Sequence, residues 1–208
     1  MNEKVKDILE WIYCILIALI LALLFRYFIG TPTIVKQRSM YPTLQENQRL
    51  ILSRTYRITH REFKRGDIIT FEAPEKPYSK WDASSAEPIA IYTYEPQGVI
   101  NKFIYYGLEV TKKSYIKRVI GLPGDHVKIE NNKVYINGKE LEEDYLQDDV
   151  VTETEIFKDF IVPEDHIFAM GDNRPHSTDC RDLGCIPFKK IEGIVVFRFW
   201  PFNVFGGV

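Results

Sequence analysis

The sequence predicts a mainly β domain carried on one N-terminal transmembrane helix. Three observations predict it: a single long apolar run near the N-terminus, a succession of short β-branched and aromatic runs after it, and Gly, Pro, Asn or Asp between most of those runs. The 208 residues leave room for one globular domain plus that appendage. The formal net charge of −2 implies no basic face of the kind nucleic acids require, so no nucleic-acid partner is expected.

The apolar run comes first. From Trp11 to Phe25 the chain reads WIYCILIALILALLF without a charge, and after Arg26 it continues YFIG. The uncharged part alone is short of the roughly 20 residues that cross a bilayer. Arg26 can lift its guanidinium to the headgroups, which extends the span to residues 8–29. Residues 1–7 are then a short tail, expected in the cytoplasm, and Trp11, Tyr13, Tyr27 and Phe28 lie toward the two interfaces. A buried core helix is the plainer reading, but the run is apolar on every face, where a surface-packed helix keeps a polar stripe. A cleaved signal sequence is another, with Lys4 and Lys6 as its basic start, yet RYFIGTP offers no small-x-small cleavage site. An uncleaved anchor fits best. Charge does not orient it, because Lys4 and Lys6 are balanced by Arg26, Lys36, Arg38 and Arg49 on the other side.

Residues 30–208 form the domain. Strands are predicted at 47–53, 66–72, 114–121, 126–130, 133–138, 166–171 and 193–200, and no second helix of comparable length. Residues 126–138 read as a hairpin turned by Asn131-Asn132. Residues 73–113, with prolines at 74, 77, 88 and 96, are too long for a structureless loop. They predict an insertion with its own small strand pair. Its aromatic residues, Tyr78, Trp81, Tyr92, Tyr94, Phe103, Tyr105 and Tyr106, form either a cluster capping the sheet or a surface facing membrane or substrate. Cys14 lies in the apolar run. Cys180 and Cys185 are close enough for a small-loop disulfide in an extracytoplasmic domain, or are two free thiols.

Ser39, in the turn QRSMYPTL at 37–44, is a candidate nucleophile that needs a base from elsewhere, because a serine hydroxyl is weak alone. Of the four histidines, His60 stands in a charged stretch, and His126 and His166 begin strands. His176, in GDNRPHSTDCRDLG, is the only serious imidazole candidate. Lys117 is the better one. In the strand SYIKRVIG it shares a face with Tyr115 and Val119, while Arg118 points the other way. Burial on an apolar face lowers a lysine pKa by penalising the charged form. The loop 171–184 sets Asp172, Arg174, Ser177, Asp179, Arg181 and Asp182 between two apolar runs, which allows Ser177 to bond a neutral amine and Asp179 to pair with Arg181.

Together these segments resemble the type I bacterial signal peptidases, membrane-anchored Ser–Lys proteases. The resemblance is carried by SMYPTL at 39–44, RGDIITF at 65–71, YIKRVIGLPGD at 115–125 and GDNRPHSTDCRDLG at 171–184, in the family's order behind the expected anchor. It implies a LexA-like β-fold, Ser39 as nucleophile, Lys117 as general base and Met40 beside the substrate channel. It also implies that Ser177 hydrogen-bonds the lysine, and that Asp172, Asp179 and Arg181 support the site. Some members carry a serine where this chain has Gln37, so the second oxyanion donor falls to another group, the Gln37 amide being one candidate. Cys180 replaces a usual serine and His176 a usual asparagine. The implied substrates are secretory preproteins with small residues at −1 and −3, met at the extracytoplasmic face of the lipid bilayer. Neither metal nor cofactor is implied, and a monomer is expected.

Overall fold

The computed structural model describes residues 3–59, 61–75, 77–79, 87–109, 112–148 and 150–208, so His60 and Trp81 lie outside the described residues. Helix α1 spans Glu3–Phe28, uninterrupted by Gly or Pro and rich in Leu, Ile and Ala. Its 26 residues rise about 39 Å, more than the roughly 30 Å hydrocarbon core. None of its apolar stretch is buried against the rest of the chain. A helix of this length and apolar character, uncovered by the rest of the described chain, fits a single-pass membrane anchor. It starts before the predicted span, adding a polar turn in which Lys6 faces Glu10 at 3.9 Å.

The domain is built from strands β1 (Gly30–Ile34), β2 (Arg49–Ser53), β3 (Ile68–Glu72), β4 (Ser114–Gly121), β5 (His126–Glu130), β6 (Lys133–Ile136), β7 (Lys139–Glu140), β8 (Asp159–Ile161), β9 (His166–Met170), β10 (Ile186–Pro187), β11 (Ile191–Trp200) and β12 (Gly206–Gly207). The larger sheet runs β1-β2-β11-β3-β4-β9-β10, with β12 beside β11; the smaller runs β7-β6-β5-β8. The predicted hairpin is present, with Asn131 at φ 50° and Asn132 at φ 62°, the left-handed pair that a tight two-residue turn requires. The two sheets share one apolar core, to which Ile69, Phe71, Val119 and Phe168 contribute from one sheet and Val127 and Ile129 from the other.

Strand β1 follows the anchor directly and was not predicted. GTPTI lacks an alternating apolar pattern, and Pro32 argues against an interior strand. Both are tolerated because β1 is an edge strand, paired on one side only. Gly30 permits its close approach, since a Cβ there would stand 2.5 Å from the Leu52 carbonyl oxygen.

The insertion corrects the sequence reading. Instead of a strand pair, its described residues form a helical turn at Val99–Lys102 that continues as a wider turn through Leu108. Ile100, Phe103 and Ile104 are spaced one helical turn apart, and that period outweighs their β propensity. Its aromatics divide between both readings. Tyr92 packs on the core and donates to the Glu72 carbonyl, and Tyr78 stacks edge-on against Phe157. Tyr94, Phe103 and Tyr106 are exposed. Cys180 and Cys185 are buried free thiols.

Candidate active site

A second, smaller apolar cluster holds the turn that carries Ser39. Val35, Met40 and Leu44 pack against Leu50, Leu52, Ile68 and Val195. Met40 and Leu44 are fully buried, each contributing about 2 kcal/mol by area. Residues 35–48 close as a loop through Val35 N–H to the Gln48 carbonyl, 2.9 Å, and Asn47 N–H to the Val35 carbonyl, 2.8 Å. Within it, the Tyr41 N–H donates to the Arg38 carbonyl and the Leu44 N–H to the Met40 carbonyl. Ser39 is thereby presented at the lip of a rigid turn.

Strand β4 brings the amine. Lys117 pairs across with Ile69 of β3, and its side chain is 1% exposed. Its Nζ lies 2.7 Å from Ser39 Oγ, although 78 residues separate the two. Burial lowers the Lys117 pKa to about 8; Asp179 and Cys180 pull it back toward the charged form but do not overcome desolvation. Nζ also lies 5.3 Å from the Tyr115 ring centre, on the face that the strand alternation assigned.

The loop after β9 clamps this pair. Asp179 binds the Arg181 guanidinium at two points, 2.9 and 3.0 Å, and its Oδ2 accepts the Gly171 N–H at 2.9 Å. Burial works against the ionised carboxylate, but Arg181 and the Gly171 N–H hold its pKa below the ordinary range. The Asn173 N–H donates to the Ser39 carbonyl, 3.0 Å, which ties the loop to the Ser39 turn. Asp172 faces the other way. It takes a two-point ion pair from Arg118, 2.9 and 2.7 Å, and the Thr43 hydroxyl at 2.6 Å.

Ser177 Oγ is buried beside Gly171 and Ser39 but has no hydrogen-bond partner among the described residues, so the implied bond to the lysine is not made here. The Lys117 amine is engaged by Ser39 instead. Met40 both lines the cleft and belongs to the core behind it. Gln37 is exposed on the cleft wall, and His176 is exposed on a separate cavity.

Some supporting residues escaped the sequence reading. Arg118 was legible only as the residue opposite Lys117, and Thr43 only as part of the SMYPTL turn. Arg174 is fully buried, donating from Nε to the Gly171 carbonyl at 3.1 Å and from its terminal nitrogens to Thr152 and Glu143. No spacing in the chain announces those partners.

The cleft in front of Ser39 has a volume of about 540 Å³. Edge strand β1 forms one wall, and Leu52, Thr70 and Ile116 contribute to the lining. Its far end holds Arg54, which pairs with Glu109 at 2.6 Å and donates to the Arg26 carbonyl at the last turn of α1. The cleft is thus joined to the end of the anchor. Among the described residues no group of three or more His, Cys, Asp or Glu is placed to hold a metal ion.

A buried serine in contact with a buried, readily deprotonated amine opens on a cleft walled by an unpaired strand edge, an arrangement that suits the chemistry of a serine peptidase. Residues 8–200 match the family model for signal peptidase, peptidase S26. The chain is 36% identical to signal peptidase I S of Bacillus subtilis (strain 168), covering 97% of this chain and 94% of that one. It is 32% identical to signal peptidase IB of Staphylococcus aureus (strain COL), covering 96% and 93%. A solved signal peptidase I from Enterococcus faecalis V583 aligns at 26% identity and a TM-score of 0.41, over 64% of this chain and 97% of its own. The chain belongs to the signal peptidase family S26. It is accordingly a hydrolase, a serine peptidase that removes signal peptides.

Proposed function

We propose that Ser39 is the nucleophile and Lys117 the general base of a single-pass membrane peptidase acting on secretory preproteins at the extracytoplasmic face. The 2.7 Å contact between Lys117 Nζ and Ser39 Oγ carries this reading. With the amine neutral, the hydroxyl donates to its lone pair. Oγ attacks the scissile carbonyl as its proton passes to Nζ, and the resulting ammonium protonates the leaving amine. Neutral again, Lys117 takes a proton from the water that hydrolyses the acyl-enzyme. The Ser39 N–H is one oxyanion donor and the Gln37 side-chain amide the second, with Met40, Ser177, Asp172, Asp179 and Arg181 holding the pair in register.

The unpaired edge of β1 offers backbone groups to an extended substrate, whose −1 and −3 side chains fall on one face. Leu52, Thr70, Met40 and Ile116 line the cleft there, and shallow apolar pockets among them would admit only small −1 and −3 side chains. Replacing alanine by phenylalanine at −1 of a preprotein is expected to lower kcat/KM about 100-fold; cleavage at an unchanged rate would remove the size selection.

Deprotonated Lys117 is the active form, so kcat/KM should rise with pH along a limb centred near 8. At pH 7 about a tenth of the amine is then neutral, against roughly 0.04% for a free lysine. A profile that falls as pH rises through this window would exclude the lysine as base.

The nine residue steps from Gly30 to Ser39 reach at most about 30 Å, which keeps the nucleophile near the bilayer surface. Protease added outside intact protoplasts is expected to digest residues 30–208. Protection until lysis would reverse the topology.

A further inference from the structure

We infer that a second cavity, of about 850 Å³, is the site for the first residues of the mature chain, and that Arg38 recognises a carboxylate side chain there. The inference rests on the proposed role of Ser39. Among the described residues the two cavities share no lining residue, yet they meet at the Ser39 turn: Gln37, Ser39 and Met40 face the first, and Arg38 and Tyr41 face the second. A peptide whose carbonyl meets Ser39 Oγ has its earlier residues in the cleft walled by β1. Its later residues, advancing about 3.3 Å each when extended, must leave on the other side of the turn.

The wall they meet is built, not loose. The Asn173 N–H holds the Ser39 carbonyl at 3.0 Å, and Asn173 Nδ2 holds the Arg38 carbonyl at 3.1 Å, so the cavity moves with the nucleophile. Tyr41 and Val151 are partly exposed apolar surface on it, suited to a neighbouring side chain. The charged element is Arg38. Its side chain is 78% exposed, and its Nε is held by Glu46 at 3.2 Å. That contact occupies one edge of the guanidinium and leaves its terminal nitrogens facing outward for a second carboxylate. An exposed pair of this kind discriminates modestly, by a factor of a few.

The test uses full-length enzyme in proteoliposomes and a set of otherwise identical preproteins carrying Asp, Ala or Lys at +1, +2 or +3. In the wild type, kcat/KM for Asp over Lys is expected to be about five-fold at one of these positions. Arg38→Glu should invert that ratio and Arg38→Gln should level it, each ratio being taken within one enzyme. The same ratio in all three enzymes would overturn the inference and leave the role of Ser39 intact. Failure of the wild type to cleave any member of the set, the alanine one included, would overturn both.

Discussion

Ser39→Ala and Lys117→Ala are each expected to reduce preprotein cleavage by about 10⁴-fold or more, because members of a nucleophile–base unit fail together rather than additively. His176→Ala should keep most of kcat, since its imidazole is exposed and takes no part in the 2.7 Å contact. Loss of cleavage in the histidine variant with survival of the lysine variant would replace the dyad by a triad. A second readout separates catalysis from folding. Lowering the Lys117 pKa from 10.5 to about 8 costs roughly 3 kcal/mol of stability wherever the amine is charged. The sign is opposite to that of a paired lysine: the folded value is depressed, so between about 8 and 10.5 the unfolded chain binds the extra proton and stability rises with pH. Lys117→Met removes that penalty while keeping the volume. The variant should therefore be inactive yet melt higher at pH 7, and lack the rise in stability across that window. An inactive variant that melts lower would mean that Lys117 holds the fold together, and its loss of activity would then say nothing of chemistry.

Much of this arrangement was legible before any coordinates. β4 and β5 fall at the predicted residues because SYIKRVIG and HVKIE are β-branched runs bounded by turn residues, and the alternation put Lys117 on the Tyr115 face. The anchor was legible because length and absence of charge are properties of the run itself. What failed depends on partners. β7, β8 and β10 are two or three residues long and exist only through pairing with neighbours. β1 is a strand because β2 lies beside it, and Pro32 hides it otherwise. The approach of Lys117 to Ser39 is a tertiary fact that local pattern does not encode, and only the resemblance of whole segments pointed to it. The Ser177–lysine bond, allowed by the loop's residues and implied by the resemblance, is not made: the Ser39 hydroxyl is the amine's hydrogen-bond partner, and Ser177 Oγ has none among the described residues.

Gly171→Ala is the substitution outside the dyad expected to cost most. Gly171 shows no left-handed backbone strain; what it provides is space. A Cβ there would stand 2.2 Å from Ser177 Oγ and 2.5 Å from the Ser39 carbonyl oxygen, distances at which something must move. The Ser177 side chain cannot yield enough, because its own Cβ would be 2.6 Å away. Gly171 cannot retreat freely either, since its N–H is held by the buried Asp179 carboxylate and its carbonyl by buried Arg174. Moving Gly171 away would strip the buried Asp179 carboxylate of a backbone donor, a charged hydrogen bond worth about 1.5–3 kcal/mol. The Ser39 carbonyl is therefore the atom that shifts, carrying Oγ away from Lys117 Nζ. A displacement near 1 Å in such a pair lowers turnover by about 100-fold. The expected result is a folded enzyme with kcat down by that factor and a KM for preprotein changed far less, because the proposed substrate wall lies on β1. Wild-type kcat in Gly171→Ala would show that the nucleophile turn is not held by this loop. A rise in KM alone would move the role of Gly171 from positioning to binding.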